Sequence, residues 1–392
     1  MIFLEFIFQG VLTLLYLNVI YLFVFAVAGL FDTKLKSTPI SKGESSYLLM
    51  VPGFKEDDVI VSVAKNLSQI DYPKDKFEVL IIADSFQEET LESLKKEDVS
   101  VLEVSFEKST KVKALNKAFS SLTKRFDYAI IMDADNVVNK EFLYQIDSVT
   151  CRDSIKALQC HRVAKNKNTS VAILDAVSEE INNHIFRRGH VNVGLSSGLI
   201  GSGMVFDYDL IASFLKNSKA IGGFDKELEL LLLKQRVKIQ YLNDCFVYDE
   251  KVQKMDQLNA QRRRWLSAQV YYLSVSFRDA LKDFFVRGNI DYLDKSTQMA
   301  LVPRILLLGL IPVMLGLSFL FGPDSQYLSM TLFAVMVFTM MISIPFHLYN
   351  GKLLKALLSL PKGVFGMLLT IFKLKGANKT FIHTPHSTNV KS

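Results

Sequence analysis

The sequence predicts an α/β domain with a mostly parallel sheet, inserted between membrane-spanning helices, and three observations carry that expectation. Through the middle of the chain, apolar runs of strand length alternate with stretches of helical spacing, the pattern of a parallel sheet covered by helices on both faces. Two of those runs stop at carboxylates, Asp84 and Asp133. Long hydrophobic stretches lie only near the two ends, and the composition agrees. At 49% hydrophobic residues and a mean hydropathy of +0.22 the chain is too apolar for a purely soluble enzyme, yet at 22% charged residues it is too polar for an all-membrane protein.

Residues 1–31 are long enough to span a bilayer, with only Glu5 charged before the end. A cleaved signal peptide fits poorly, because no basic segment precedes the apolar stretch and no small-residue cleavage site follows it. Residues 299–349 read as a hairpin of two spans, about 299–322 and 327–349, joined by Pro323-Asp324-Ser325-Gln326. Basic residues fall on the sides facing the central domain: Lys34, Lys36 and Lys42, then Arg287 and Lys295, then Lys352 and Lys355. The positive-inside rule therefore places 32–298 and the tail in the cytoplasm, making this an integral protein of the plasma membrane. In that reducing compartment Cys151, Cys160 and Cys245 are buried thiols without metal spacing. The net charge of +6 is largely this juxtamembrane bias, so no nucleic-acid partner is implied.

Within the central domain, Tyr47–Val51 is a short apolar run ending at Pro52, Gly53, Phe54, Lys55 and Glu56. Val59–Leu67 has helical spacing, Asp71-Tyr72-Pro73 breaks it, and Phe77–Asp84 is a second strand. A helix over Glu88–Lys96, a strand over Val99–Val104, a helix over Lys111–Leu122 and a strand over 128–132 complete the alternation. The last strand ends in Asp133-Ala134-Asp135. Two carboxylates at this spacing beyond a strand's carboxyl end suit a hard divalent cation, Mg2+ or Mn2+, with a phosphate-bearing substrate. Gly201-Ser202-Gly203 is not a dinucleotide fingerprint, since its next glycine position is Phe206, and no P-loop is present. Residues 267–298 and 350–392 mix apolar and basic residues and read largely as helices lying in the membrane interface.

At these residues the chain resembles the membrane-integrated family 2 glycosyltransferases of GT-A fold, which include cellulose, chitin, hyaluronan and poly-N-acetylglucosamine synthases and ceramide glucosyltransferase. Val51-Pro52-Gly53-Phe54-Lys55-Glu56 stands at the family's hydrophobic-Pro-x-Tyr-Asn-Glu opening, and Asp84 at the Asp that holds the uracil of the donor. Lys111-Val112-Lys113-Ala114-Leu115-Asn116 resembles its K-A-G-A-L-N element, with Lys113 in place of a glycine. Asp133-Ala134-Asp135 matches the metal-binding D-x-D. Gly222-Gly223-Phe224-Asp225-Lys226-Glu227-Leu228 stands at E-D-x-E-L, which implies Asp225 as catalytic base, with Glu227 as the competing assignment because Phe224 replaces the usual Glu. Gln261-Arg262-Arg263-Arg264-Trp265 is a full Q-x-x-R-W, and Phe381 to His386 is similar to a gating loop through Phe381 and Thr384.

The resemblance implies a donor site of Pro52, Phe54, Glu56, Asp84, Lys111, Asp133, Gln261 and Arg264, and metal ligation by Asp133 and Asp135. It implies Trp265 with Gly201, Ser202 and Gly203 on the acceptor side. The expected enzyme is an inverting glycosyltransferase that takes a UDP-sugar and extends a polysaccharide at the cytoplasmic membrane face. The alternatives are single transfer to a lipid acceptor and a catalytically inactive subunit of an envelope polysaccharide complex. Expected partners include membrane lipids and, with so few spans, further copies of the chain or an export partner. Plainer readings of the same residues stand beside these: Asp84 as a helix cap, Arg262 to Arg264 as a headgroup anchor, and Trp265 as an interfacial aromatic.

Overall fold

The computed structural model describes residues 2–38, 43–218, 220 and 222–372. After α1 (Ile2–Ala28) the central domain runs β1 (Tyr47–Phe54), α2 (Asp57–Ser68), β2 (Phe77–Asp84), α3 (Glu88–Leu94), β3 (Ser100–Val104), α4 (Lys111–Ser121) and β4 (Tyr128–Ile131). Two of these helices have a clear local reason to start where they do. Asp57 and Asp58 lie in the first turn of α2, where acidic groups complement the helix dipole, and the Thr110 hydroxyl caps α4 by accepting from the Lys113 N–H. β1, β2 and β4 are nearly continuous apolar runs because both of their faces are covered.

The chain continues through β5 (Val137–Val138), α5 (Phe142–Thr150), β6 (Ala157–Ala164), α6 (Ser170–Asn182), a π-helix (Asn183–Gly189), α7 (His190–Asn192), β7 (Met204–Asp207), α8 (Tyr208–Asn217), α9 (Phe224–Lys234) and β8 (Ile239–Asp249). The eight strands lie in the order β3-β2-β1-β4-β7-β6-β8-β5. The pairs among β1 to β4 are parallel, but β7 runs antiparallel to both β4 and β6, and β5 antiparallel to β8. The expected mostly parallel sheet is therefore mixed. Only its first half follows the strand-helix-strand alternation that forces parallel pairing. The segment after β4 crosses the strand ends and pairs as β5 on the far edge, which carries Asp133 and Asp135 over the end of β8.

The boundary expected at 266 lies inside a helix. α10 (Met255–Arg287) is a single helix of 33 residues that includes Gln261 to Trp265, followed by α11 (Ile290–Gln298). α1 and α13 (Pro323–Ser343) are long and apolar enough to cross a membrane by length and composition. α12 (Arg304–Ser318) has 15 residues, about 22 Å at 1.5 Å per residue, short of a hydrocarbon core of about 30 Å. The span expected over 299–322 is shortened at both ends, because Pro303 precedes the helix and the turn to α13 occupies 319–322. Pro323 opens α13 at the helical position where its missing N–H costs nothing. α14 (Gly351–Leu357) and α15 (Leu360–Phe372) follow, with Pro361 in the first turn of α15 just after the break between them.

α1 packs Leu12, Val19, Leu22 and Phe25 against α12, α13 and the π-helix, while Leu14, Leu17 and Ile20 are exposed. Its carboxyl end is held by histidines. His184 shares a hydrogen bond with the Ala26 carbonyl at 2.8 Å, and His190 stacks on Phe25 at 3.6 Å between centroids. Burial holds both imidazoles below the usual histidine pKa, reinforced by Arg188 at His184 and by Lys295 at His190, where Asp294 opposes it. A base whose pKa falls on folding binds fewer protons folded than unfolded in the window beneath its ordinary value, about 6.5. Stability contributed here is present above that value and lost as pH falls, by at most about 1.4 kcal/mol per pH unit for each histidine. The thermal midpoint is expected to drop between about pH 7.5 and 5.5, with a shallower slope in His190→Gln. A pH-independent midpoint would contradict this account.

Candidate active site

Two clefts open at the carboxyl ends of the strands. The first, of about 240 Å³, is walled by the ends of β1, β2, β4 and β8, by the first turn of α4 and by the second and third turns of α10. Pro52, Phe54 and Glu56 form one side. Asp84 lies at the back, 2% exposed, with its carboxylate accepting from the Ser85 hydroxyl at 3.0 Å. It caps no helix: α3 begins four residues later, and its Gln87 N–H is taken by Asp57. Lys55 and Ser85, the first residues beyond the cleft-lining ends of their strands, both have left-handed backbone, with φ of 55° and 60°. Such conformations cost about 1–3 kcal/mol for non-glycine residues and concentrate at functional sites.

Asp133, Asp135 and Asp249 converge on the floor of this cleft, with one carboxylate oxygen from each lying within 4.8 Å of the others. Asp135 accepts from the Glu250 N–H at 2.8 Å and from the Asn136 side-chain amide at 3.1 Å, which fixes its rotamer. The cluster does not repel itself apart, because Lys111 donates to Asp133 and Lys251 to Asp249 at 2.7 Å, while Arg162 lies 3.6 Å from Asp249. Burial would raise the Asp249 carboxyl, but Arg162 and Lys251 outweigh it and hold the group below the ordinary carboxylate range. Asp249, Arg162 and Lys251 were not among the residues expected from the sequence. Asp249 had the same signal as Asp84, a largely apolar strand ending on a carboxylate, but its strand partners are non-local.

The second cleft, of about 500 Å³, lies between α9, α10, α6 and the amino end of α12. Asp225 is on its wall, in the first turn of α9. Gly223 places it there: the residue is left-handed at φ 67°, and a Cβ on it would sit 2.9 Å from the Ala268 Cβ. Glu227 turns away and accepts from the Ser218 hydroxyl; neither cleft includes it. Phe224, the departure from the expected acidic residue, is buried with its ring 5.2 Å from Lys111 Nζ. Trp265, 45% exposed, forms another part of the wall.

Among the described residues, Lys111 and Arg264 border both clefts. Lys111 is held between Asp133 and the Gly201 carbonyl, 2.7 Å away. Burial lowers the pKa of Arg264. Gln261 borders the first cleft, with its buried Oε1 lacking a hydrogen-bond partner among the described residues. Gly201, Ser202 and Gly203 support the site from beneath: Gly198, Leu199 and Ile200 line the second cleft instead. A Cβ on Gly203 would meet Val247 at 2.9 Å. Phe381 and Thr384 lie outside the described residues.

A mixed α/β fold with carboxylates at the strand ends, a cleft over them and a second cleft bearing Asp225 alongside is the architecture of a GT-A-like glycosyltransferase. Residues 45–268 match the model of the glycosyltransferase like family 2, and the chain belongs to that family. Among solved structures, it is similar to the mannosyltransferase PcManGT from Pyrobaculum calidifontis, in complex with GDP-Man and Mn2+, at a TM-score of 0.56 and 15% identity over 86% of this chain and 98% of that one. It also matches the glucosyl-3-phosphoglycerate synthase from Mycobacterium tuberculosis, in complex with Mn2+, UDP and glucosyl-3-phosphoglycerate, at 0.42 and 15% over 60% and 85% of the respective chains. A search of curated proteins finds no match.

Proposed function

We propose that this chain is an inverting, metal-dependent glycosyltransferase that moves a sugar from a UDP-sugar to an acceptor at the cytoplasmic face of the membrane. The observation that carries this reading is the shared border. The carboxylate cluster lies in one cleft and Asp225 in the other, with Lys111 and Arg264 between them. A sugar whose diphosphate rests in the first cleft would present its anomeric carbon to the second.

The three carboxylates fit Mg2+ or Mn2+. Oxygen ligands about 2.1 Å from an octahedral ion are at most about 4.2 Å apart, so small rotations of Asp133, Asp135 and Asp249 close the set. A bound cation there supplies neutralisation of the charge that grows on the leaving diphosphate. Asp84 accepts the uracil imide N–H at the back of the cleft. Arg264 grips the diphosphate with two parallel N–H donors and Lys111 adds a point charge. An aspartate is ionised at neutral pH, so Asp225 takes the acceptor hydroxyl's proton as its oxygen bonds the anomeric carbon. The bond to the diphosphate breaks and UDP leaves. The base and the leaving group flank the sugar from opposite sides, so the configuration inverts and an α-linked donor gives a β-linked product.

Polysaccharide extension and transfer to a lipid share this donor site and differ in the second cleft. Its walls include Leu22 of α1, Ile305 of α12 and Met367 of α15, alongside Phe186. That apolar side, continuous with the apolar helices, favours an acceptor with a lipid tail. The inactive-subunit reading rests on Phe224 and on Lys113 in place of a glycine; the Phe224 ring packs into the core and leaves Asp225 on the cleft.

Purified protein supplied with Mn2+ and a series of UDP- and GDP-sugars tests the reading by nucleotide release and by product size. One preferred UDP-sugar and addition of a single residue to lipid are expected. A ladder of products would restore the polysaccharide reading, preference for GDP-sugars would remove the uracil role of Asp84, and no release from any donor would overturn the enzyme. Within the same assay, Arg264→Lys is expected to lose at least about tenfold in transfer, because an ammonium cannot reproduce the paired hydrogen bonds. Trp265→Ala should fail where Trp265→Phe partly survives, since sugars stack on rings. Near-normal activity of Arg264→Lys would return the motif to an anchoring role.

A further inference from the structure

The membrane side of the second cleft carries positive charge for which the sugar donor has no use. Arg304, the first residue of α12, reaches the cleft wall with one terminal nitrogen donating to the Ser178 carbonyl at 3.0 Å and to the Asn182 side-chain oxygen at 2.8 Å. Its other terminal nitrogen, Nη1, is shielded from solvent and has no hydrogen-bond partner among the described residues. Buried guanidinium donors are seldom left in that state. Arg262, on the same wall, lies near enough to repel it, and the carboxylate opposing Arg262 is Asp175. The remaining nearby carboxylate, Glu179, is already committed to Arg162 at 2.9 Å and Arg187 at 3.2 Å. The donor cannot supply the missing anion, since neither Arg262 nor Arg304 borders the first cleft.

Beside this pair the walls become apolar, through Leu22, Val302, Ile305 and Met367. We infer that the second cleft binds an acceptor whose phosphate or diphosphate group is carried on an apolar chain. The phosphate sits between Arg262 and Arg304, the chain runs toward α1, α12 and α15, and the end bearing the reacting hydroxyl extends toward Asp225. The phosphate is an anchor and is not itself transformed. The inference rests on the reading of this cleft as the acceptor site and adds to it a charge requirement: an uncharged lipid of the same length leaves Arg304 Nη1 unpaired.

Trp265 is the chain's single tryptophan and borders this cleft, so its fluorescence reports occupancy directly. The full chain in detergent micelles is titrated with a long-chain prenyl phosphate, with the corresponding prenol and with inorganic phosphate. Prenyl phosphate is expected to give a saturable change at a concentration at least about tenfold below either of the others, the scale of charge-assisted hydrogen bonds. Arg304→Gln and, independently, Arg262→Gln should each raise that midpoint about tenfold, so that misfolding of one variant leaves the other as the test. Equal midpoints for prenol and prenyl phosphate, saturation by inorganic phosphate alone at the same concentration, or wild-type midpoints in both variants would overturn the site. UDP release from the preferred UDP-sugar separates the two readings. Release without phosphate-selective binding removes this inference and leaves the enzyme, whereas selective binding without release removes the enzyme and leaves the lipid-phosphate site.

Discussion

Asp225→Asn is expected to lower turnover by about 10²–10⁴-fold, the usual contribution of a general base, while affinity for the nucleotide sugar changes little. The asymmetry follows from placement. Asp225 borders the second cleft alone, so removing its charge leaves every contact in the first cleft intact. The amide keeps the shape of the carboxylate at the start of α9, where Gly223 fixes the backbone, so a folding defect is not expected. Glu227→Gln is the control. It removes a partner of Ser218 outside both clefts and should cost stability more than rate. If Glu227→Gln shows the kinetic defect and Asp225→Asn is near normal, the assignment of the base is reversed.

Asp135→Ala is expected to abolish transfer, by at least about 10³-fold, because charge stabilisation by a divalent cation is worth several kcal/mol. It also leaves the Glu250 N–H without its acceptor, so some loss of stability accompanies it. Asp135→Asn separates the effects by keeping that hydrogen bond. Equal rate losses in the two variants would assign the defect to metal binding. Donor affinity measured with and without EDTA completes the argument: wild-type protein should lose metal-dependent binding under EDTA, whereas Asp135→Ala has none to lose. Full activity of wild-type protein in EDTA would refute the metal's role.

The half of the domain that was legible in the sequence is the half built by local rules. Phe77–Asp84 ends where its apolar run ends, and β1, β4, α2 and α4 fall within a few residues of the expected spans, because each is a short element alternating with its neighbour. The second half was not legible. β7 is inserted antiparallel between β4 and β6, a pairing between segments far apart that no spacing announces. The same cause hid Asp249, whose role depends on β8 ending under the segment that follows β4. Asp84, Lys111, Asp133 and Arg264 carried family patterns and lie around the clefts, whereas Gly201 to Gly203 shape the backbone behind them. The short α12 was missed because hydropathy does not register a helix that begins late, after Pro303.

The common border of the two clefts makes their ligands thermodynamically linked. Lys111 and Arg264 can neutralise only a fixed amount of negative charge between them, and a diphosphate on one side screens what an anion on the other side feels. Linkage is reciprocal: whatever factor the nucleotide imposes on acceptor affinity, the acceptor imposes on the nucleotide. An anionic acceptor should therefore hasten departure of the spent UDP, and UDP should loosen the finished product, so that each half of the site clears the other.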